Sequence, residues 1–117
     1  MIRFDSISKR YPGSQDVLSQ VSFQLNKGEM AFLTGPSGAG KSTLLKLIAL
    51  IERPTRGQLL ISGQNLTRVS KRKIPYVRRQ MGIIFQDHRL LFDRTVFDNV
   101  ALPLIISGYN RADIERR

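Results

Sequence analysis

Apolar and polar positions alternate with period two near the start of the chain, where Ile2 and Phe4 are set against Arg3 and Asp5. The same period returns where Val21, Phe23 and Leu25 are set against Ser22, Gln24 and Asn26. This pattern predicts half-buried antiparallel strands, and the two stretches are expected to pair. Between them Lys9-Arg10-Tyr11-Pro12-Gly13-Ser14 reads as a turn, and its single aromatic, Tyr11, falls outside the alternation and is expected to be exposed. Two later runs, residues 30–34 and 82–85, are apolar without alternation, as in parallel strands buried on both faces. After the first of these, Leu44, Leu45, Leu47, Ile48 and Ile51 repeat as one face of a helix that is expected to stop at Arg53-Pro54, because the residue before proline is pushed out of the α region. Residues 58–62 read as a further strand and Gly63-Gln64-Asn65 as its turn. Ile74, Val77 and Met81 mark one face of a short helix starting near Pro75. Thr95 with Asp98 forms a capping box for a helix whose apolar face carries Val96, Phe97, Val100, Ala101 and Leu104, with Pro103 kinking or ending it. Residues 110–117 open one more helix.

The stretch between the first buried run and its helix carries the chemistry. Gly35-Pro36-Ser37-Gly38-Ala39-Gly40-Lys41-Ser42-Thr43 has the spacing G-x-x-x-x-G-K-[ST] of a phosphate-binding loop. Glycines let the backbone approach a ligand and aim successive N–H groups into one concavity, to which the helix start adds unpaired donors and the positive end of its dipole. Lys41 supplies a mobile cation for β- and γ-phosphates, and the Ser42 hydroxyl is a Mg²⁺ ligand. A glycine turn that merely joins strand to helix does not require Lys41-Ser42 at that point. Gln86 ends the second buried run, at the strand edge where α/β sheets bind ligands; a plain polar strand end is the alternative reading.

Composition narrows the picture. At 117 residues the chain suffices for one small domain and is short for a complete doubly wound nucleotidase. It has no cysteine, so disulfides are excluded. Its start has no apolar signal region, and its longest apolar stretch, residues 100–106, is far too short to span a bilayer, so a soluble cytoplasmic protein is expected. The net charge of +10 is concentrated in Lys71-Arg72-Lys73, Arg78-Arg79, Arg89, Arg94, Arg111, Arg116 and Arg117. Nucleic acid, an anionic membrane surface, a solvated face, and balancing acidic residues in a missing C-terminal part are the readings of that charge. With no aromatic residues interleaved as stacking platforms, nucleic acid is not expected.

The order Tyr11, Gly35 to Thr43, Gln86 resembles the first half of an ABC-type ATPase domain. The resemblance covers the whole chain. More narrowly, residues 30–35, 44–48, 51–54, 78–80, 85–88 and 93–100 resemble the cell-division ATP-binding subunits of that family, with lipoprotein-release and macrolide-export subunits as the next nearest. The resemblance implies an α/β fold, the phosphate-loop nucleoside triphosphatase fold of ABC type. An antiparallel β part is expected at residues 1–29 and 57–66, a nucleotide-binding core at 30–53 and 81–86, and the start of a helical subdomain at 87–117. It implies ATP and Mg²⁺ as cofactors, Tyr11 stacking on adenine, residues 35–43 cradling phosphates, Lys41 and Gln86 as catalytic groups, and Ser42 with Gln86 at the metal. It implies further a homodimer through the nucleotide sites and an integral membrane subunit docking near Asp87 to Thr95, with Arg89, Leu90, Leu91 and Phe92 as contacts; an ordinary packed loop is the alternative there. The location implied is the cytoplasmic face of the bacterial inner membrane. By position, His88, the single histidine, is not the family's switch histidine. No Leu-Ser-Gly-Gly signature, no apolar strand ending in Asp-Glu and no downstream switch histidine occurs before Arg117. An amino-terminal fragment or truncated product, inactive alone, is therefore expected, with a non-catalytic nucleotide-binding module as the rival from another class.

Overall fold

The alternating stretches fold as a pair. In the computed structural model, which describes residues 1–117, β1 (Ile2–Arg10) lies antiparallel to β2 (Asp16–Leu25) with Phe4 opposite Phe23. On its other side β1 pairs antiparallel with β3 (Arg56–Ile61), which continues through a tight turn into the two-residue β4 (Gln64–Asn65), giving the order β2-β1-β3-β4. Phe4, Ile7 and Leu59 are almost fully buried beneath this sheet. Strict alternation places Phe4 and Ile7 on opposite faces. A bulge at Ser6, with φ 47°, shifts the phase and returns Ile7 to the core. Gly57 makes the bulge tolerable: a Cβ there would stand 2.4 Å from the Ser6 carbonyl oxygen and 2.6 Å from the Ile7 Cα, so only glycine lets β3 lie this close to β1.

Helix α1 (Lys41–Ile48) covers the sheet core with Leu44 and Leu47, while Leu45 and Ile51 stay exposed. The helix ends well before Arg53-Pro54. Leu50 adopts a left-handed conformation, φ 55°, and the Ile51 amide turns back to the Lys46 carbonyl, so the chain closes the helix by itself before proline can act. Arg78, at the end of α2 (Ile74–Arg78), donates to the carbonyls of Ala49 and Leu50 at 2.9 and 2.8 Å and satisfies acceptors that the helix end leaves open. Ile74 and Val77 pack against the core as expected, and Met81 lies beyond the helix.

The two unalternated runs are not strands. Residues 30–34 and 82–85 take no part in the sheet, and Met30, Phe32 and Ile84 are 82%, 83% and 97% exposed, against the expectation of buried parallel strands. The physical reason is pairing: a parallel strand exists only through ladder bonds to a neighbour, and neither run has one in this chain.

Residues Met1–Arg78 form one structural unit and Arg79–Arg117 a second. In the second, α3 (Val96–Ile106) packs against α4 (Arg111–Arg116). The capping box is present: the Thr95 hydroxyl accepts from the Asp98 amide at 3.1 Å and donates to its carboxylate at 2.8 Å. The buried face of α3 differs from the expected one, since Ala101 is buried whereas Val96, Phe97 and Val100 are exposed. Pro103 neither ends the helix nor stops its last turn, which reaches Ile106. No helix is long and apolar enough to cross a membrane.

Candidate functional site

The approach to the phosphate loop is a turn fastened by one carboxylate. Glu29 accepts from the Asn26 amide at 2.6 Å and from the Asn26 side chain at 3.1 Å. These two bonds, the backbone one foremost, hold the Glu29 carboxyl below its ordinary range. The chain then passes through residues 30–34 into the loop.

Gly40 stands at the N-cap of α1 with φ 95°, and no side chain caps the helix there. Its amides therefore remain available to a ligand. Glycine is demanded at this position twice over, by the left-handed backbone and by contact with β2, where a Cβ would meet Leu18 Cδ2 at 2.8 Å and the Val17 carbonyl at 3.0 Å. Lys41 reaches back over the loop, its ammonium donating to the carbonyls of Gly35 and Pro36 at 2.5 and 2.7 Å. Ser42 faces solvent and Thr43 is buried. An open helix start, a flanking cation and an exposed hydroxyl form a donor set that fits a polyphosphate with its divalent ion. No group of three or more His, Cys, Asp or Glu side chains is placed to hold a metal ion.

Tyr11 is brought to the loop and is half-buried instead of exposed. Its hydroxyl lies 3.4 Å from the Thr43 hydroxyl, and its carbonyl accepts from the amide and side chain of Ser14. Gln86 belongs to the second unit, where it is exposed in the turn that follows residues 82–85. Beyond it the Arg89 guanidinium lies 4.3 Å above the Phe85 ring. Asn99 of α3 accepts from the Leu91 amide and donates to the carbonyls of Leu91 and Thr95, so the segment from Asp87 to Thr95 is fastened from the helix behind it. Phe92 projects from this segment, 96% exposed. Among the basic residues, Tyr76 stands exposed between Lys73 and Arg78, so the expectation that no aromatic interleaves with them is corrected. Arg78 binds carbonyls 29 and 28 residues back and Asn99 binds carbonyls four and eight residues back, and no local pattern announces either.

The comparisons agree with this geometry. Residues 18–117 match the family model described as ABC transporter. The chain is 60% identical over 117 residues to the cell division ATP-binding protein FtsE of Escherichia coli strain K12, covering all of this chain and 53% of that protein. It is 42% identical to FtsE of Bacillus subtilis strain 168 and 46% identical to the methionine import ATP-binding protein MetN 1 of Burkholderia orbicola, covering 51% and 34% of them. The chain thus spans about half the length of the FtsE relatives it matches. Among solved structures it resembles the dimeric ATP-binding cassette MJ0796 in a post-hydrolysis state bound to ADP and phosphate, with a TM-score of 0.90 at 28% identity over 99% of this chain and 53% of that one. With the open helix start at Gly40, the cation at Lys41 and a family match over most of its length, the chain belongs to the ABC transporter family and has the α/β fold of its ATP-binding cassettes.

Proposed function

We propose that this chain supplies the phosphate-binding half of the nucleotide site in an ATP-binding subunit that couples ATP hydrolysis to an FtsX-like integral membrane subunit in bacterial cell division. The observation that carries the reading is the uncapped start of α1 with Lys41 folded over it, and 60% identity to a relative named for cell division supports its biological setting. A methionine-import relative at 46% identity favours a second reading, an import subunit of the same family.

In the proposed site Tyr11 stacks on adenine, residues 35–43 bind the phosphates, and Lys41 exchanges its carbonyl acceptors for charged phosphate oxygens, which hold an ammonium more strongly. Bound MgATP supplies the γ-phosphoryl group that passes to water. Ser42 and Gln86 hold the ion, and Gln86 also orients the water. Two copies act head to tail across their nucleotide sites, at the cytoplasmic face of the inner membrane. Leu91, Phe92 and Arg89 meet the membrane subunit, a role supported by the exposure of Phe92 on a segment fastened by Asn99.

Steady-state ATP hydrolysis by the full-length protein tests this. Lys41→Ala is expected to lower turnover about 10²-fold or more, because it removes a cation that meets developing phosphate charge. Unchanged turnover contradicts the site. Reversing the charge at Arg89 or truncating Phe92 is expected to weaken co-purification with the membrane subunit more than ATP binding, and the opposite ranking rejects the docking assignment.

A further inference from the structure

We infer that Lys9 is a positioning residue for the nucleotide base, holding the Tyr11 ring in the plane on which adenine stacks; this rests on the proposed stacking role of Tyr11. The Lys9 ammonium lies 5.0 Å from the centroid of the Tyr11 ring. It also donates to the Arg53 carbonyl at 2.8 Å and pairs with the Glu52 carboxylate at 3.1 Å, and its side chain is only 12% exposed. Two further bonds tie the same strand end to the segment after α1: the Thr55 amide donates to the Ser8 carbonyl and the Arg10 amide to the Thr55 hydroxyl, each at 2.9 Å.

Tyr11 therefore follows directly on a clasp between the end of β1 and the segment beyond the loop helix. The ring is held at two points. Thr43 in the first turn of α1 meets its hydroxyl, and the ammonium covers one face at cation–π distance; in the proposed stacking role a planar base takes the other face. Glu52 and Arg53 lie outside the phosphate loop and fix the ammonium, so the cation at the ring face is held by groups that touch no part of the nucleotide. A phosphate ligand without a base gains nothing from this arrangement, and that distinction separates positioning from simple bracing of the helix.

The test is equilibrium binding of ATP and of inorganic tripolyphosphate, each with Mg²⁺, to the full-length protein and its Lys9→Met, Glu52→Gln and Tyr11→Ala variants. Methionine keeps the apolar stem and removes the charge. Lys9→Met is expected to weaken ATP about tenfold, as befits a lost cation–π contact and a half-buried ion pair, and to leave tripolyphosphate within about twofold. Glu52→Gln is expected to follow in the same direction with a smaller loss, and it decides the matter by the same criterion if Lys9→Met does not fold. Equal losses for both ligands, or no loss for either, overturn the inference. If Tyr11→Ala weakens ATP while the Lys9 and Glu52 variants do not, the positioning role alone falls. If Tyr11→Ala leaves ATP binding unchanged, the stacking role falls and takes the inference with it.

Discussion

Leu50 occupies a position where two costs compete. A left-handed backbone at a residue with a Cβ costs about 1–2 kcal/mol, and glycine would relieve it. Leu50 is nevertheless 6% exposed within the core cluster, and emptying such a site costs roughly 2–5 kcal/mol. Burial prevails over the relief of strain, so Leu50→Gly is expected to destabilise by roughly 1–3 kcal/mol in urea titration; a stabilised variant would show that strain outweighs packing here. Glu29 has a pH signature. Its carboxyl is held below the ordinary range by Asn26, so its contribution to stability is present above the unfolded value of about 4.3 and is lost as the pH falls through the lowered folded value. Glu29→Gln is expected to remove that part of the acid dependence of the melting temperature. Identical acid profiles for the two proteins would contradict it.

At the scale of elements, the close approach of β1 and β3 is the tightest constraint in the first unit. Gly57→Ala sets a Cβ against backbone atoms that cannot move independently and imposes a φ of +91° on alanine. It is expected to cost roughly 2–5 kcal/mol, the sum of backbone strain and overpacking, measured as a fall in the denaturant midpoint; a shift under about 1 kcal/mol would mean the two strands separate freely. The period-two stretches, the glycine-rich turn that opens α1 and the Thr95–Asp98 capping box were legible in the sequence because each is a local pattern that a few neighbouring residues determine. The Ser6 bulge, the early end of α1 and the buried face of α3 were not, because each is decided by contacts with residues far along the chain. Tyr11 shows the boundary. Its separation from the alternation was visible, whereas its burial against Thr43 depended on how α1 packs on the sheet.

Across the whole molecule, the apolar runs at residues 30–34 and 82–85 have the composition of parallel strands and no partner to pair with. Exposed apolar segments with open backbone groups favour association. The polypeptide of residues 1–117 is therefore expected to self-associate with rising concentration in sedimentation velocity, and a sedimentation coefficient independent of concentration would contradict it. The most direct test of the central claim, that the open start of α1 receives nucleotide phosphates, is amide hydrogen exchange of the full-length protein with and without MgATP. The expected result is strong protection of the amides of Gly40, Lys41, Ser42 and Thr43, lost in Lys41→Ala. Saturating MgATP that leaves those amides exchanging at the free-protein rate would contradict it.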